Sequence, residues 1–259
     1  TPLYSSAASD VYKRQIPERA VEQGTIDRLG SIDDSVGGET SRYSLNIGWQ
    51  SGHWKASAYL INYDLNLWSN FTYFLDDEVN GDQFEQVDER KIYGGELSYQ
   101  FNKQWRGHPV INRLGLQFRA DDIAEVGLYQ TQRRQRLGVT RSDAIDQYSM
   151  SAFWENEIIW SHHFRTVFGV RHDTLDFDVD NLAGINRFGV DLDSNSGDAR
   201  DELTSLKGSL IYTINRNWEV YTSAGQGFHS NDARGTIINV DPASGNSVEQ
   251  VDPLVRSLG

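Results

Sequence analysis

In "SRYSLNIGWQ", residues 41–50, every second side chain is apolar or aromatic: Tyr43, Leu45, Ile47 and Trp49 share one side, and Arg42, Ser44, Asn46 and Gln50 the other. A period of two requires an extended backbone, because successive Cβ atoms alternate across a strand. The alternation returns along the chain. "KIYGGELSYQF" sets Tyr93, Leu97, Tyr99 and Phe101 against Glu96, Ser98 and Gln100, with Gly95 on the aromatic side. "RLGLQFRA" sets Leu114, Leu116 and Phe118 against Arg113, Gln117 and Arg119. "QYSMSAFWENEIIW" sets Tyr148, Met150, Ala152, Trp154, Ile158 and Trp160 against Gln147, Ser149, Ser151, Glu155 and Glu157, with breaks at Phe153, Asn156 and Ile159. A chain so patterned is all-β, and its strands have one apolar and one polar face.

A second, longer period governs the breaks. Short polar breaks fall at even intervals near Gly52, Trp105, His162 and Arg216, and between them lie longer polar stretches at 76–90, 131–146, 180–202 and 229–253. The pattern predicts eight antiparallel strands, at 41–51, 54–74, 88–102, 113–132, 146–160, 164–178, 203–215 and 218–228. Tight turns gather at one end of the sheet and long loops at the other. Several of these segments far exceed the mode of about 5–6 residues for strands of ordinary globular domains. Five of the seven Trp, namely Trp49, Trp54, Trp105, Trp160 and Trp218, lie within a few residues of the short breaks. An amphipathic indole favours the headgroup level of a bilayer, so this placement reads as an interfacial girdle of a transmembrane β-barrel. The soluble alternative, a β-sandwich that binds carbohydrate, requires a second sheet over the apolar face; exposure of Tyr59, Tyr93, Leu116, Trp154 and Phe168 on one surface would count against it.

Composition removes other classes. A net charge of −13 argues against a nucleic-acid partner, since phosphate binding needs a cationic face. The absence of Cys excludes disulfides, thiolate metal sites and thiol nucleophiles. No apolar run approaches the roughly 18 residues of a membrane helix, a criterion that leaves strands untouched. Residues 1–15 include "SSAASDVYKRQ", which resembles an adaptor-derived translation, and are expected to be non-native.

Three stretches carry a family likeness: "YDLNLWSNFTYFLDD" at 63–77, "GVRHDTLDFD" at 169–178 and "NRNWEVYTSAGQGFHSNDARGT" at 215–236, followed by "DPLVRSLG" at 252–259. Together they resemble the barrel domain of TonB-dependent outer-membrane receptors. The resemblance implies a barrel of about 22 strands, with long outer loops and short periplasmic turns, of which residues 16–259 would supply about eight, without the plug and the last strands. It also implies a Gram-negative outer-membrane location, contacts with lipid and lipopolysaccharide, and coupling to TonB through the plug. The implied function is energised uptake of a scarce small-molecule nutrient such as a ferric siderophore. A passive porin or adhesin barrel is the alternative. Within the likeness, Gly225, Gly227, Phe228, Asn231, Asp232 and Arg234 mark a strand exit: the glycines leave room for plug or aromatic rings, Phe228 ends the apolar band, and the chain then enters an outer loop with no helical pattern. The spacing of these glycines does not match G-x-G-x-x-G, so no nucleotide cradle is expected.

No catalytic constellation emerges, and no cofactor or resident metal is expected. His162 and His163 are adjacent, as are Asp121 and Asp122, so each pair points to opposite faces of a strand. Asp173, Asp176, Asp178 and Asp180 lack the glycine and glutamate of a calcium loop and read as a solvated strand end. Arg133, Arg134, Arg136 and Arg141 form a cationic cluster in an acidic chain, and the guanidinium fork suits carboxylate, catecholate or phosphate oxygens. They are the candidate contacts for an anionic ligand or for lipopolysaccharide phosphate. The arginines Arg113, Arg119, Arg165 and Arg171, with Glu96, Glu155 and Glu157, are expected to pair across the polar face or to hold a plug.

Overall fold

The structure is a computed structural model that describes residues 16 and 18–258; the expectation for residues 1–15 lies outside these. Nine strands form one antiparallel sheet in sequence order: β1 (Gly37–Ser51), β2 (Trp54–Ser69), β3 (Phe84–Trp105), β4 (His108–Gln132), β5 (Gln135–Ile159), β6 (Phe164–Asn181), β7 (Gly197–Asn215), β8 (Trp218–Ser230) and β9 (Leu254–Leu258). β1 and β9 are its edges. All eight expected strands are present, and β9 follows them. Two short helices complete the described elements apart from a 3-10 turn at Asp193–Asn195: α1 (Glu18–Glu22) and α2 (Ala233–Ile237).

Strand identity follows from the alternation, and register aligns the faces. Trp54 pairs with Tyr99, Tyr99 with Leu114, Leu114 with Trp154, and Trp154 with Val170, so apolar residues meet across five strands. A one-residue slip would turn a whole strand over. Tyr93, Leu116 and Phe168 are exposed on this face, and among the described residues no second sheet covers it. That excludes the sandwich. Trp154 is half-buried on the same face, its indole N–H donating to Asn112 Oδ1 at 3.1 Å. Tyr59 departs from expectation: it lies on the opposite face over Gly94, where any Cβ would meet its ring at 2.2 Å.

One expected loop does not exist. The stretch 131–146 continues as paired strand, and β4 and β5 are joined by a two-residue turn at Arg133 (φ 50°) and Arg134 (φ 65°). Both residues occupy the left-handed region, as a two-residue type I′ hairpin requires. The other long stretches are loops, at 70–83, 182–196 and 231–253.

Beyond the apolar band, on the same face, register brings four carboxylates into line: Asp122 opposite Asp146, Asp146 opposite Asp178, and Asp178 opposite Asp198. All four are exposed. Like charges directly opposed across strands destabilise by roughly 0.2–1 kcal/mol per pair. Asp146→Asn relieves two such pairs and is expected to raise the denaturant midpoint; an unchanged or lower midpoint would show that solvent already screens the row.

Candidate functional site

The polar face carries several ionic clusters. Arg113 pairs with Glu96 at 2.7 Å, and Gln117 donates to the same carboxylate at 2.7 Å. Arg171 donates to Gln117 Oε1 at 2.6 Å, to Ser151 at 2.7 Å and to Asp173 at 2.8 Å, while Ser151 donates to Asp173 at 2.6 Å. Lys207 meets Glu155 at 2.6 Å, and Arg165 bridges Glu157 and Glu219 at 3.0 and 3.1 Å. Arg119 pairs with the nearly buried Asp121 at 3.0 Å. The expected cross-strand pairing therefore exists for Arg113–Glu96 and Arg165–Glu157, while Arg119 and Arg171 take aspartates two residues along their own strands. A cavity of about 300 Å³ lies over these clusters, lined by Glu96, Arg113, Gln117, Glu155, Arg171 and Lys207 among others.

Toward the loop end the polar face becomes apolar. Ile123, Ile145, Leu175, Phe177, Val179 and Leu203 are buried there with Ala233 and Ile237 of α2 and Leu254 of β9. This cluster changes the reading of residues 225–236. The chain does not run straight into an outer loop; it turns back over the sheet as α2, whose first turn is capped by Asp232 Oδ1 accepting from the Arg234 N–H at 2.9 Å. Phe228 packs against this inner cluster instead of ending the apolar band. Gly225 lies against Lys207 Cβ, 3.3 Å from where its own Cβ would stand, and Gly227 against Ser257 Oγ at 3.1 Å, so the glycines admit neighbouring strands and no aromatic ring. Asn231 fastens the far end of the loop, its N–H donating to Pro253 O at 3.0 Å and its side-chain amide to Asp252 O at 2.7 Å.

A charged quartet pins α2 down. Arg234 holds Asp232 through two bonds of 2.9 and 2.8 Å, and Arg141 holds the fully buried Asp143 at 2.6 Å while reaching Arg234 O at 3.5 Å. Burial pushes the Asp143 carboxyl up, and Arg141 and Arg234 offset part of the rise. Asp232 is held below the usual carboxylate range: burial acts upward, and the bonds and charge of Arg234 outweigh it. Sequence alternation gave no sign of this quartet, because Asp143 and Arg234 are 91 positions apart in a numbering that records no contact.

The four candidate arginines do not converge. Arg134 donates to Ser35 O at 2.7 Å with its guanidinium carbon 4.7 Å from the Trp68 ring centre. Arg136 meets Glu85 at 2.6 Å and stacks 3.7 Å from the Tyr129 ring centre. Arg141 belongs to the quartet. Arg133, at the hairpin tip, lines a groove of about 280 Å³ with Asp33, Asp34 and Asn80. Three of the four thus spend their donors internally.

The 70–83 loop borders the largest of the described cavities, about 580 Å³, whose walls include Phe71, Asp77, Phe84, Leu128, Arg187 and Phe188. Asp82 organises the loop by accepting from the backbone N–H groups of Leu75, Asp76 and Asp77 at 2.7, 3.1 and 2.8 Å. Asp77 accepts from the N–H groups of Val79 and Asn80 at 3.0 and 2.8 Å, and these and further bonds hold its carboxyl down at about 2.

The five tryptophans stand beside the short turns on the apolar face. Trp105 and Trp160 meet edge to face at 5.8 Å, Trp160 donates to Thr166 at 2.9 Å, and Trp49, Trp54 and Trp218 are exposed. His163 sits at such a turn with its ring nitrogen 2.7 Å from Thr213 O. Among the described residues no cluster of His, Asp and Glu has metal-binding geometry.

A meander of long strands with an apolar band on one face and ionic clusters on the other, turning tightly at one end and looping at the other, is the wall of an outer-membrane-type β-barrel. The sequence matches the model of the TonB dependent receptor-like β-barrel family over residues 4–250, and the chain belongs to that family. Comparison with curated protein sequences gave no match. Among solved structures, the chain is similar to the ferric citrate transporter FecA in its unliganded form, with a TM-score of 0.57, 10% identity, and coverage of 74% of this chain and 27% of that one. It is also similar to the ferric yersiniabactin uptake receptor FyuA from Yersinia pestis, with a TM-score of 0.47, 15% identity, and coverage of 78% and 30%. The chain thus spans less than a third of either structure.

Proposed function

We propose that this chain is part of the outer-membrane barrel of a receptor that takes up a scarce small-molecule nutrient with energy delivered through TonB, and that the nutrient is a ferric siderophore or similar chelate. Membership of the family carries the reading; the ionic polar face supports it as a wall for a plug and a passing ligand, and the apolar face supports it as a lipid contact. The tryptophans at the short turns serve as the interfacial girdle. Arg133, at the hairpin tip, is the arginine placed to meet a ligand or the phosphates of lipopolysaccharide.

The test deletes the gene carrying this chain from its host and measures uptake of radioiron presented on a panel of ferric chelates, with and without a protonophore. Loss of one protonophore-sensitive uptake is the expected result. Uptake that depends on the gene but ignores the protonophore would make it a passive porin instead, and uptake unaffected by deletion across the panel would overturn the iron assignment.

A further inference from the structure

The 70–83 loop contains the chain's single Asn-Gly step, Asn80–Gly81, and both residues line the groove of about 280 Å³ that Arg133 borders. Such a step is chemically labile, since glycine has no side chain to obstruct attack by its own amide nitrogen on the preceding side-chain amide. Here one residue restrains both reacting groups. The Gly81 N–H donates to Asp77 O at 2.9 Å, which keeps the nucleophile protonated and engaged. The Asn80 side-chain amide donates to Asp77 Oδ2 at 3.0 Å, which turns the electrophilic carbon toward Asp77. The Asn80 backbone N–H is fixed to Asp77 Oδ1 at 2.8 Å, and Gln130 holds Asp77 itself at 2.9 Å. Gly81 is at φ +82°, so the turn is set by a conformation that glycine adopts without strain.

We propose that Asn80 is a deamidation site of this receptor, with Asp77 as the residue that restrains it. When the turn opens, the Gly81 amide gives its proton to solvent base and its nitrogen attacks Asn80 Cγ. An N–Cγ bond forms, the Cγ–Nδ2 bond breaks, and the departing amide leaves as ammonia with a proton from water. Water then opens the five-membered imide at either carbonyl, giving aspartate or, with the chain rerouted through Cγ, isoaspartate; nothing is oxidised or reduced. The change is permanent once ammonia has left. The product places a second carboxylate where the amide donated to Asp77 Oδ2, so the turn no longer closes, and the wall of the groove beside Phe74 and Arg133 changes shape and charge.

The experiment ages the intact receptor in detergent at neutral pH and follows conversion at Asn80 by peptide mass spectrometry and isoaspartyl methyltransferase labelling. Asn246–Ser247, in the 231–253 loop, serves as an internal reference. Conversion at Asn80, normalised to Asn246, is expected to be about tenfold slower in the folded receptor than in urea, the protection of a locally closed turn. Asp77→Ala is expected to remove most of that protection. Asp77→Asn keeps an acceptor for the backbone amides and is expected to remove part of it. Acceleration at Asn80 relative to Asn246 in either variant supports the assignment; no relative acceleration in both, or equal normalised rates in folded and unfolded receptor, overturns it.

Discussion

Arg141→Ala is expected to loosen the loop end of the barrel wall more than any other single charge deletion. Asp143 is fully buried and its closest cation is Arg141 at 2.6 Å. Removing one partner of a buried pair leaves an uncompensated charge at a cost of about 3–5 kcal/mol, and the low end applies here because Arg234 still faces the carboxylate. The pH dependence has a definite sign. A carboxyl whose folded pKa is raised destabilises the fold only when ionised, so the penalty is absent below the unfolded value of about 3.9 and grows as pH rises through the folded one. The variant is therefore expected to lose protection of 231–253 against hydrogen exchange at pH 8 and to regain it toward pH 4. Asp143→Asn in the same background is expected to restore protection at pH 8. Equal loss at both pH values, or no rescue, would mean that Arg141 acts by packing alone.

Leu116→Arg is expected to block insertion into lipid vesicles. Leu116 is 56% exposed on the apolar face, with Leu97 and Ala152 as register partners, between the tryptophans of the short turns and the level of Tyr93 and Tyr148. A cation on the lipid face near the bilayer midplane costs about 2–4 kcal/mol. Ser57→Lys adds the same charge on the polar face opposite Glu96 and is expected to be tolerated. Measured as the yield of heat-modifiable, protease-resistant barrel in vesicles, the two variants separate the faces; if both insert equally well, the apolar face does not meet lipid.

Local sequence carried most of the sheet. Alternation in a single strand is visible without its neighbours, so strands, faces and short turns were legible from period two, and the turns near Gly52 and Arg106–Gly107 carry ordinary signals: Gly52 (φ 56°) and Gly107 (φ 84°) adopt conformations that glycine favours. The β4–β5 turn was not legible. Arginine has no preference for the left-handed region, and its φ values there are imposed by two long strands arriving in register. Between 131 and 146 most of the buried residues, Thr131, Ser142 and Asp143, are polar, so the apolar alternation fades and paired strand reads as loop.

The candidate site was legible only in its parts. The arginines and the 225–236 stretch stood out by composition, yet their partners, Glu85, Asp143, Ser35 and the inner cluster, come from strands and loops distant in sequence. Sequence alone determined an all-β, two-faced sheet with tight turns at one end and tryptophans beside them, because side-chain alternation and turn chemistry are local. Tertiary structure alone decided that α2 folds back over the polar face, that Phe228 sits on that side, and that Arg141 is spent on Asp143 instead of on a ligand. Those outcomes depend on which buried charges and apolar surfaces meet after the strands have paired, and nothing within a single strand encodes that meeting.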